Sequence, residues 1–240
     1  MSTSTISSID IRDLSALNAA YQRDGFLIVP NLFNAHECAS LKTEAKRLVA
    51  EYGRAFSSVY VGASIVSDIF RQFADDVRLV DILSALMPEG VAFMSDKVVF
   101  KSNTQQAATP WHADAQYWPG TRSKLSIWIP LDDANHDNGT LLVVRGSHLR
   151  TWEMQETTGI NQAQDFNLIV RPNQWSRDDE VICEIPRGSA IFFSDLLLHA
   201  STPNLTGADR YTIISTYQAP VTIEEPFDLH FQARHTIRSA

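Results

Sequence analysis

Lys124-Leu125-Ser126-Ile127-Trp128-Ile129-Pro130-Leu131, then the polar run Asp132-Asp133-Ala134-Asn135-His136-Asp137-Asn138-Gly139, then Leu141-Leu142-Val143-Val144, sets the reading of the whole chain. The two apolar pieces are strand-like, and Asn138-Gly139 is turn chemistry between them. In a pleat, Ser126 and Trp128 share one side while Ile127 and Ile129 share the other. Working outward, residues 91–101 (ending Lys97-Val98-Val99-Phe100-Lys101), 180–185, 190–193 and 210–217 have the same character. Pro119-Gly120 and Pro186-Arg187-Gly188 punctuate them. Many short strands separated by turn signals indicate a sandwich or barrel.

The first third is different. Asp13 precedes Leu14, Leu17 and Tyr21, an N-cap followed by helical spacing. Asp24-Gly25 ends that helix and opens a short strand, Phe26-Leu27-Ile28-Val29-Pro30. Asn34 is placed to cap a second helix with Leu41, Ala45, Leu48 and Val49 inward and Lys42, Lys46, Arg47 and Glu51 outward. Gly53 closes it. Residues 54–70 are ambiguous, and 57–65 could pair as a strand. Residues 76–87 read as a further helix with Val77, Val80, Leu83 and Leu86 inward. Helices clustered first and strands after argue against a βαβ plan. The expectation is a mainly β fold with flanking helices, a loose tail over residues 1–12 and one domain over 13–240. The polar stretch 150–179, which carries Trp152 and Trp175, is long enough to be a lid or binding loop.

Composition narrows the function classes. A 240-residue chain with 44% hydrophobic and 20% charged residues can bury a sizeable core as one soluble domain. A net charge of −8 argues against nucleic acid and against an anionic membrane surface as partners. No apolar run is long enough for a transmembrane helix. Cys38 and Cys183 lack metal-ligand spacing and suit buried thiols in a reducing compartment. Residues 1–8 lack the pattern of a signal peptide, so a cytoplasmic location is expected. A monomer or homodimer acting on a small molecule fits these bounds.

The chemistry is sought in Pro110-Trp111-His112-Ala113-Asp114-Ala115-Gln116-Tyr117-Trp118. On a strand, His112 and Asp114 would share a face and could reach one metal ion. With 7 His and 18 Asp in the chain, random placement yields roughly 0.5 such pairs, so the pair gains weight only from its company. His36, His136, His230 and His235 suit solvated positions, and His148 suits a loop histidine bonded to backbone. His199 ends the apolar strand read over 190–198, and Arg210 begins a strand with an apolar side. An inward guanidinium there wants a bidentate anion such as a carboxylate. Two imidazoles and one carboxylate on a metal would leave room for a chelating 2-oxo acid and dioxygen.

Several pieces, in order, resemble the phytanoyl-CoA dioxygenase family of Fe(II)/2-oxoglutarate oxygenases. They are residues 21–33, the 110–118 motif, 127–133, Asn138-Gly139-Thr140-Leu141, Gly146-Ser147-His148, and the closing set His199, Ser201, Asn204, Thr206 and Arg210. The resemblance spans most of residues 20–218. It implies a double-stranded β-helix (jelly-roll) core with helices packed on one sheet. It also implies iron on His112, Asp114 and His199, and 2-oxoglutarate held by Arg210 with Ser201. Trp128 aligns near that cosubstrate, and Thr109 and Lys97 are candidates for its inner carboxylate. Halogenating relatives replace the motif carboxylate with Ala or Gly. Asp114 is present here, so O2-dependent hydroxylation with release of succinate and CO2 is the implied reaction. Desaturation, epoxidation and ring closure are variants of the same cycle.

The substrate pocket is expected to draw on Gln116, Tyr117 and Trp118, on Phe56, Tyr60 and Phe70, and on Trp152 and Trp175, with Arg145, Arg150 or Arg187 for a substrate carboxylate. That mix suits a small secondary or amino-acid-like metabolite. A non-catalytic jelly-roll binding protein is the alternative of another class, and intact Ser201 and Arg210 argue against it. A serine hydrolase would need a Gly-x-Ser-x-Gly elbow, which the chain lacks.

Overall fold

The computed structural model describes residues 2–3, 12–54, 57–102, 104, 106–118, 123–156, 168–220 and 235–239. Its helices are α1 (Leu14–Asp24), α2 (Ala35–Tyr52), α3 (Ala63–Val66), α4 (Asp68–Ala74) and α5 (Val77–Leu86). Its strands are β1 (Ser2–Thr3), β2 (Phe26–Val29), β3 (Val59–Val61), β4 (Gly90–Lys101), β5 (Thr109–His112), β6 (Lys124–Pro130), β7 (Leu141–Val144), β8 (Met154–Glu156), β9 (Leu168–Val170), β10 (Glu180–Ile182), β11 (Ala190–Ser194), β12 (His199–Ser201), β13 (Arg210–Gln218) and β14 (His235–Ser239). Among the described residues, no helix is long and apolar enough to cross a membrane.

The helix boundaries follow local chemistry. Asp13 accepts from the Ala16 N–H, and Gly25 ends α1 at φ 81°, a left-handed position that suits glycine. Asn34 and Glu37 form a reciprocal capping box at the start of α2. Three expectations are corrected. Val77 is not inward: as the first residue of α5 it is 63% exposed, and Leu79, Val80, Ile82, Leu83 and Leu86 make the buried stripe. Of the stretch 57–65, only Val59–Val61 pairs as a strand, against β4, and the chain turns helical from Ala63. Asp96 enforces that switch, because its side chain accepts from the Ser64 N–H at 2.9 Å and its carbonyl from Gly62 at 2.9 Å. Ser2–Thr3, expected in a loose tail, pairs in parallel with Val181 and Ile182.

The strands form two main sheets. One has five strands in the order β1-β10-β7-β12-β5, and the other has β14-β4-β13-β6-β11-β2 with β3 also on β4. Alternation along β6 explains the layering. Ile127 and Ile129 join the core shared with the helices, where Leu17, Leu48, Phe70, Leu83 and Phe192 pack. Trp128 joins the core between the sheets, with Val143, Cys183, Ile191 and Phe193. The larger sheet is therefore buried on both faces, which is why its strands read as continuous apolar runs. A third cluster (Ala113, Val144, Val170, Leu198) lies beneath the β8–β9 hairpin with Trp111, Trp152, Met154 and Trp175. This is the expected mainly β jelly-roll architecture with helices packed on one sheet.

Candidate metal centre

His112 ends β5 and His199 begins β12, and antiparallel pairing sets the two residues opposite each other. Their rings lie 4.1 Å apart between centroids. His199 does not end the apolar strand before it, as the sequence suggested. Ala190–Ser194 is one strand, a turn follows, and His199 starts its own strand in the other sheet. Asp114 is likewise not on a strand. The chain leaves β5 at His112, and Asp114 opens a single 3-10 turn. The turn brings the carboxylate back, so that Asp114 Oδ1 lies 3.7 Å from His112 Nε2 and 3.8 Å from His199 Nε2. One ligand atom from each residue falls within 4.8 Å of the others.

Both imidazoles are oriented by backbone. His112 Nδ1 lies 2.8 Å from the Pro110 carbonyl and His199 Nδ1 lies 3.0 Å from the Leu197 carbonyl. A carbonyl can only accept, so each Nδ1 carries a proton and each Nε2 is turned toward Asp114. Burial, reinforced by His199, pushes the His112 imidazole down to about 3. Two imidazoles held by backbone and a carboxylate on one face make a donor set suited to a divalent transition metal with open positions.

Arg210 starts β13 and is 2% exposed. Its Nη1 donates to Thr212 Oγ1, Nη2 to the Gly139 carbonyl at 2.8 Å, and Nε to the Asn138 carbonyl at 3.3 Å. The guanidinium lies 5.4 Å over the Trp128 ring. Ser201 shares the face of β12 with His199 and accepts from the Thr109 backbone N–H at 3.1 Å. The Thr109 contribution in this structure is thus its main chain.

One neighbour of this group was missed in the sequence. Lys101, 4% exposed, donates from Nζ to Ser201 Oγ at 2.8 Å and to the Thr202 carbonyl. Lys97, a candidate for the inner carboxylate, holds its ammonium 5.5 Å over the Trp118 ring. Strand alternation puts residues 97 and 101 on the same face of β4, and that periodicity was the available signal. Gly139, at φ +96°, lets both cations lie close. A Cβ there would overlap Lys101 Cδ and come within 3.1 Å of Arg210 Nη2. Asp195 was also missed. Its carbonyl accepts from Ala115 at 2.9 Å, and burial, opposed by Lys124 and reinforced by Asp114, raises its carboxyl to about 6.

The expected pocket residues divide. Gln116 Nε2 donates to Met154 Sδ at 2.8 Å, and the Tyr117 hydroxyl donates to the Leu168 carbonyl, so both tie the metal turn to the β8–β9 hairpin. Trp152 donates to the Ser147 carbonyl at 3.1 Å and packs edge-on to Trp175. Phe70 belongs to the core under the helices, and Tyr60 packs against that core and stacks on Tyr52. Neither lines the metal centre; β4 alternation turns that side away. Phe56 and residues 157–167 of the expected lid lie outside the described residues. Arg145 is committed to Asp24 at 2.7 Å, Arg150 lies over Trp152, and Arg187 sits in the turn bonded through its N–H to Asp133. His148 faces the Gln22 carbonyl, as a loop histidine should.

The sequence profile of the phytanoyl-CoA dioxygenase (PhyH) family matches residues 21–212. The chain is 26% identical to an ectoine dioxygenase of Stutzerimonas stutzeri over 243 residues, covering 86% of this chain and 79% of that protein. It is 24% identical to an L-proline trans-4-hydroxylase of Streptomyces griseoviridis, covering 82% and 83% respectively. Among solved structures, the epimerase SnoN in complex with Fe3+, alpha ketoglutarate and nogalamycin RO superposes with a TM-score of 0.76 at 22% identity, over 96% of this chain and 99% of that one. Apo EctD from S. alaskensis superposes at 0.73 and 23% identity, over 100% and 90%. The chain belongs to the phytanoyl-CoA dioxygenase family.

Proposed function

We propose that this member of the phytanoyl-CoA dioxygenase family is an Fe(II)- and 2-oxoglutarate-dependent hydroxylase of a small, amino-acid-like metabolite. The observation that carries the reading is the ligand face: two imidazoles with Nδ1 protons committed to backbone and one carboxylate, gathered within 4.8 Å. Fe(II) would be held by His112 Nε2, His199 Nε2 and Asp114. With 2-oxoglutarate and O2, the metal supplies the oxidising chemistry that converts a substrate C–H to C–OH, with succinate and CO2 as coproducts.

The protein's own residues bind and orient. Arg210 supplies a buried fork for the distal carboxylate of 2-oxoglutarate, with Ser201 beside it and Trp128 beneath. Asp114 occupies the position that halogenating relatives leave open, which favours hydroxylation. Lys97 over Trp118 offers a cation for a substrate carboxylate on the same strand face. Relatives named for ectoine and for L-proline support a small substrate. The test is anaerobic addition of Fe(II) and 2-oxoglutarate, read by the weak visible charge-transfer absorption of the chelate. A screen of small amino-acid-like compounds for succinate formation under air then follows. Absence of both the absorption and succinate would overturn the oxygenase reading and favour a jelly-roll binding protein.

A further inference from the structure

We infer that Asp195 receives a positively charged nitrogen of the substrate, so that the compound hydroxylated is a small molecule bearing an ammonium or guanidinium group. The inference deepens the function proposed above and rests on it. Cross-strand pairing locates the residue. Ser126 shares with Trp128 the face of β6 that looks between the sheets. Ser126 is paired with Thr216, their hydroxyls 3.0 Å apart, and Thr216 with Ser95. In the next row Gln218 is paired with Lys124, and the Asp195 N–H extends β11 by donating to the Lys124 carbonyl at 3.2 Å. Partners across a ladder share a face, so these six polar residues, all buried, form one wall.

That wall lies at the opposite end of β13 from Arg210. It also borders the metal centre. Phe193, two residues before Asp195, lays its ring 4.9 Å from that of His199. The Asp195 carbonyl accepts from the N–H of Ala115, the residue after Asp114. A substrate beside the metal, on the side away from 2-oxoglutarate, would rest on this wall.

The fold does not use the Asp195 side chain. The turn after β11 is held by Ser194, whose Oγ accepts from Leu196 at 3.2 Å and whose carbonyl accepts from Leu197 at 3.0 Å. Asp195 is 6% exposed. Among the described residues no side chain hydrogen-bonds its carboxyl and no cation forms an ion pair with it. Near it are the backbone N–H groups of Lys124 and of Asp195 itself, while Lys124 and Asp114 act on it through charge with opposite effect. A carboxylate held this way is incompletely compensated, and burial makes that costly. A substrate anion there would meet both Asp195 and Asp114. A neutral group would leave the buried charge as it was. A cationic nitrogen compensates it and brings N–H donors to its oxygens.

The test compares two probes on the protein loaded with 2-oxoglutarate and Mn(II), a paramagnetic stand-in for Fe(II). n-Propylammonium and n-propanol have the same chain and differ in charge, and their proton relaxation reports binding beside the metal. The ammonium should bind roughly 10-fold tighter than the alcohol, and Asp195→Asn, which keeps the side chain's shape, should remove the preference. Among compounds that stimulate succinate formation, each should carry a cationic nitrogen and lose its effect on N-acetylation. For such a compound Asp195→Asn should raise KM roughly 10- to 100-fold with a smaller change in kcat, and Asp195→Glu should recover part of the loss. Equal relaxation of the two probes, a preference that survives Asp195→Asn, or stimulation by compounds without a cationic nitrogen would overturn the inference while leaving the proposed function intact. Absence of the charge-transfer absorption of the 2-oxoglutarate chelate would instead overturn the reading on which it rests. The probe comparison on the wild-type protein decides the matter even if a variant does not fold or the screen yields no stimulant.

Discussion

Replacing Gly139 by alanine should damage stability and cosubstrate binding together. At φ +96° a non-glycine residue is strained, at a cost of about 1–3 kcal/mol. For a chain of this size that converts to a fall in Tm of roughly 2–10 °C. The added Cβ also overlaps Lys101 Cδ and crowds Arg210 Nη2 at 3.1 Å. Relieving both contacts shifts Arg210 Nη2, the proposed donor to the distal carboxylate of 2-oxoglutarate, along with the lysine stem. A hydrogen bond to a charged group contributes about 1.5–3 kcal/mol, so the Kd for 2-oxoglutarate should rise roughly 10- to 100-fold. The assay pairs a thermal melt with 2-oxoglutarate titration followed by the charge-transfer absorption, well below the variant's Tm. A lowered Tm with unchanged Kd would refute the claim that Gly139 makes room for a cosubstrate anchor and would reduce it to a turn residue.

Asp114→Ala and His112→Ala should each abolish succinate formation while leaving the melting behaviour near wild type; full turnover by Asp114→Ala would discard the ligand assignment. Arg210→Ala should mainly raise the 2-oxoglutarate requirement, measured as KM against kcat. Phe192→Ala, which empties a fully buried site between sheet and helices, should cost about 3–5 kcal/mol in chemical denaturation. Asp96 carries a testable pH dependence. Burial raises its carboxyl to about 6, and Oδ1 has no hydrogen-bond partner. Below the unfolded value near 4 both states are protonated. Between about pH 4 and about pH 6 the unfolded state ionises while the folded one resists, and above 6 the full cost of the buried anion, about 3 kcal/mol, is present. Asp96→Asn should therefore stabilise the protein more at pH 8 than at pH 4, and equal effects at the two pH values would refute this.

Local chemistry made much of the fold legible. Asp13, Asn34 with Glu37 and Gly25 mark helix ends because capping is decided within a few residues. Ser126/Trp128 against Ile127/Ile129 gave the two faces of β6 correctly, since alternation is a property of the pleat itself. What failed depended on three dimensions. Tyr60 and Phe70 are aromatic and near the right strands, yet the face of β4 toward the helices claims them. Lys97 and Lys101 share a face of β4, and only the position of Ser201 in the neighbouring sheet shows that Lys101 is the one that meets it. Spacing put Asp114 on a strand beside His112; it lies instead on a turn, which still brings its carboxylate within 3.8 Å of both histidines.

The carbonyls that fix the two imidazoles belong to Pro110 and Leu197, each two residues upstream of its own histidine. The aim of each imidazole is thus set by the chain just upstream of it rather than by a side chain of the hairpin or the helices. A side-chain change in those outer parts therefore leaves the backbone carbonyls that aim the two imidazoles in place. A scaffold arranged this way can exchange its clientele while its reagent stays in register.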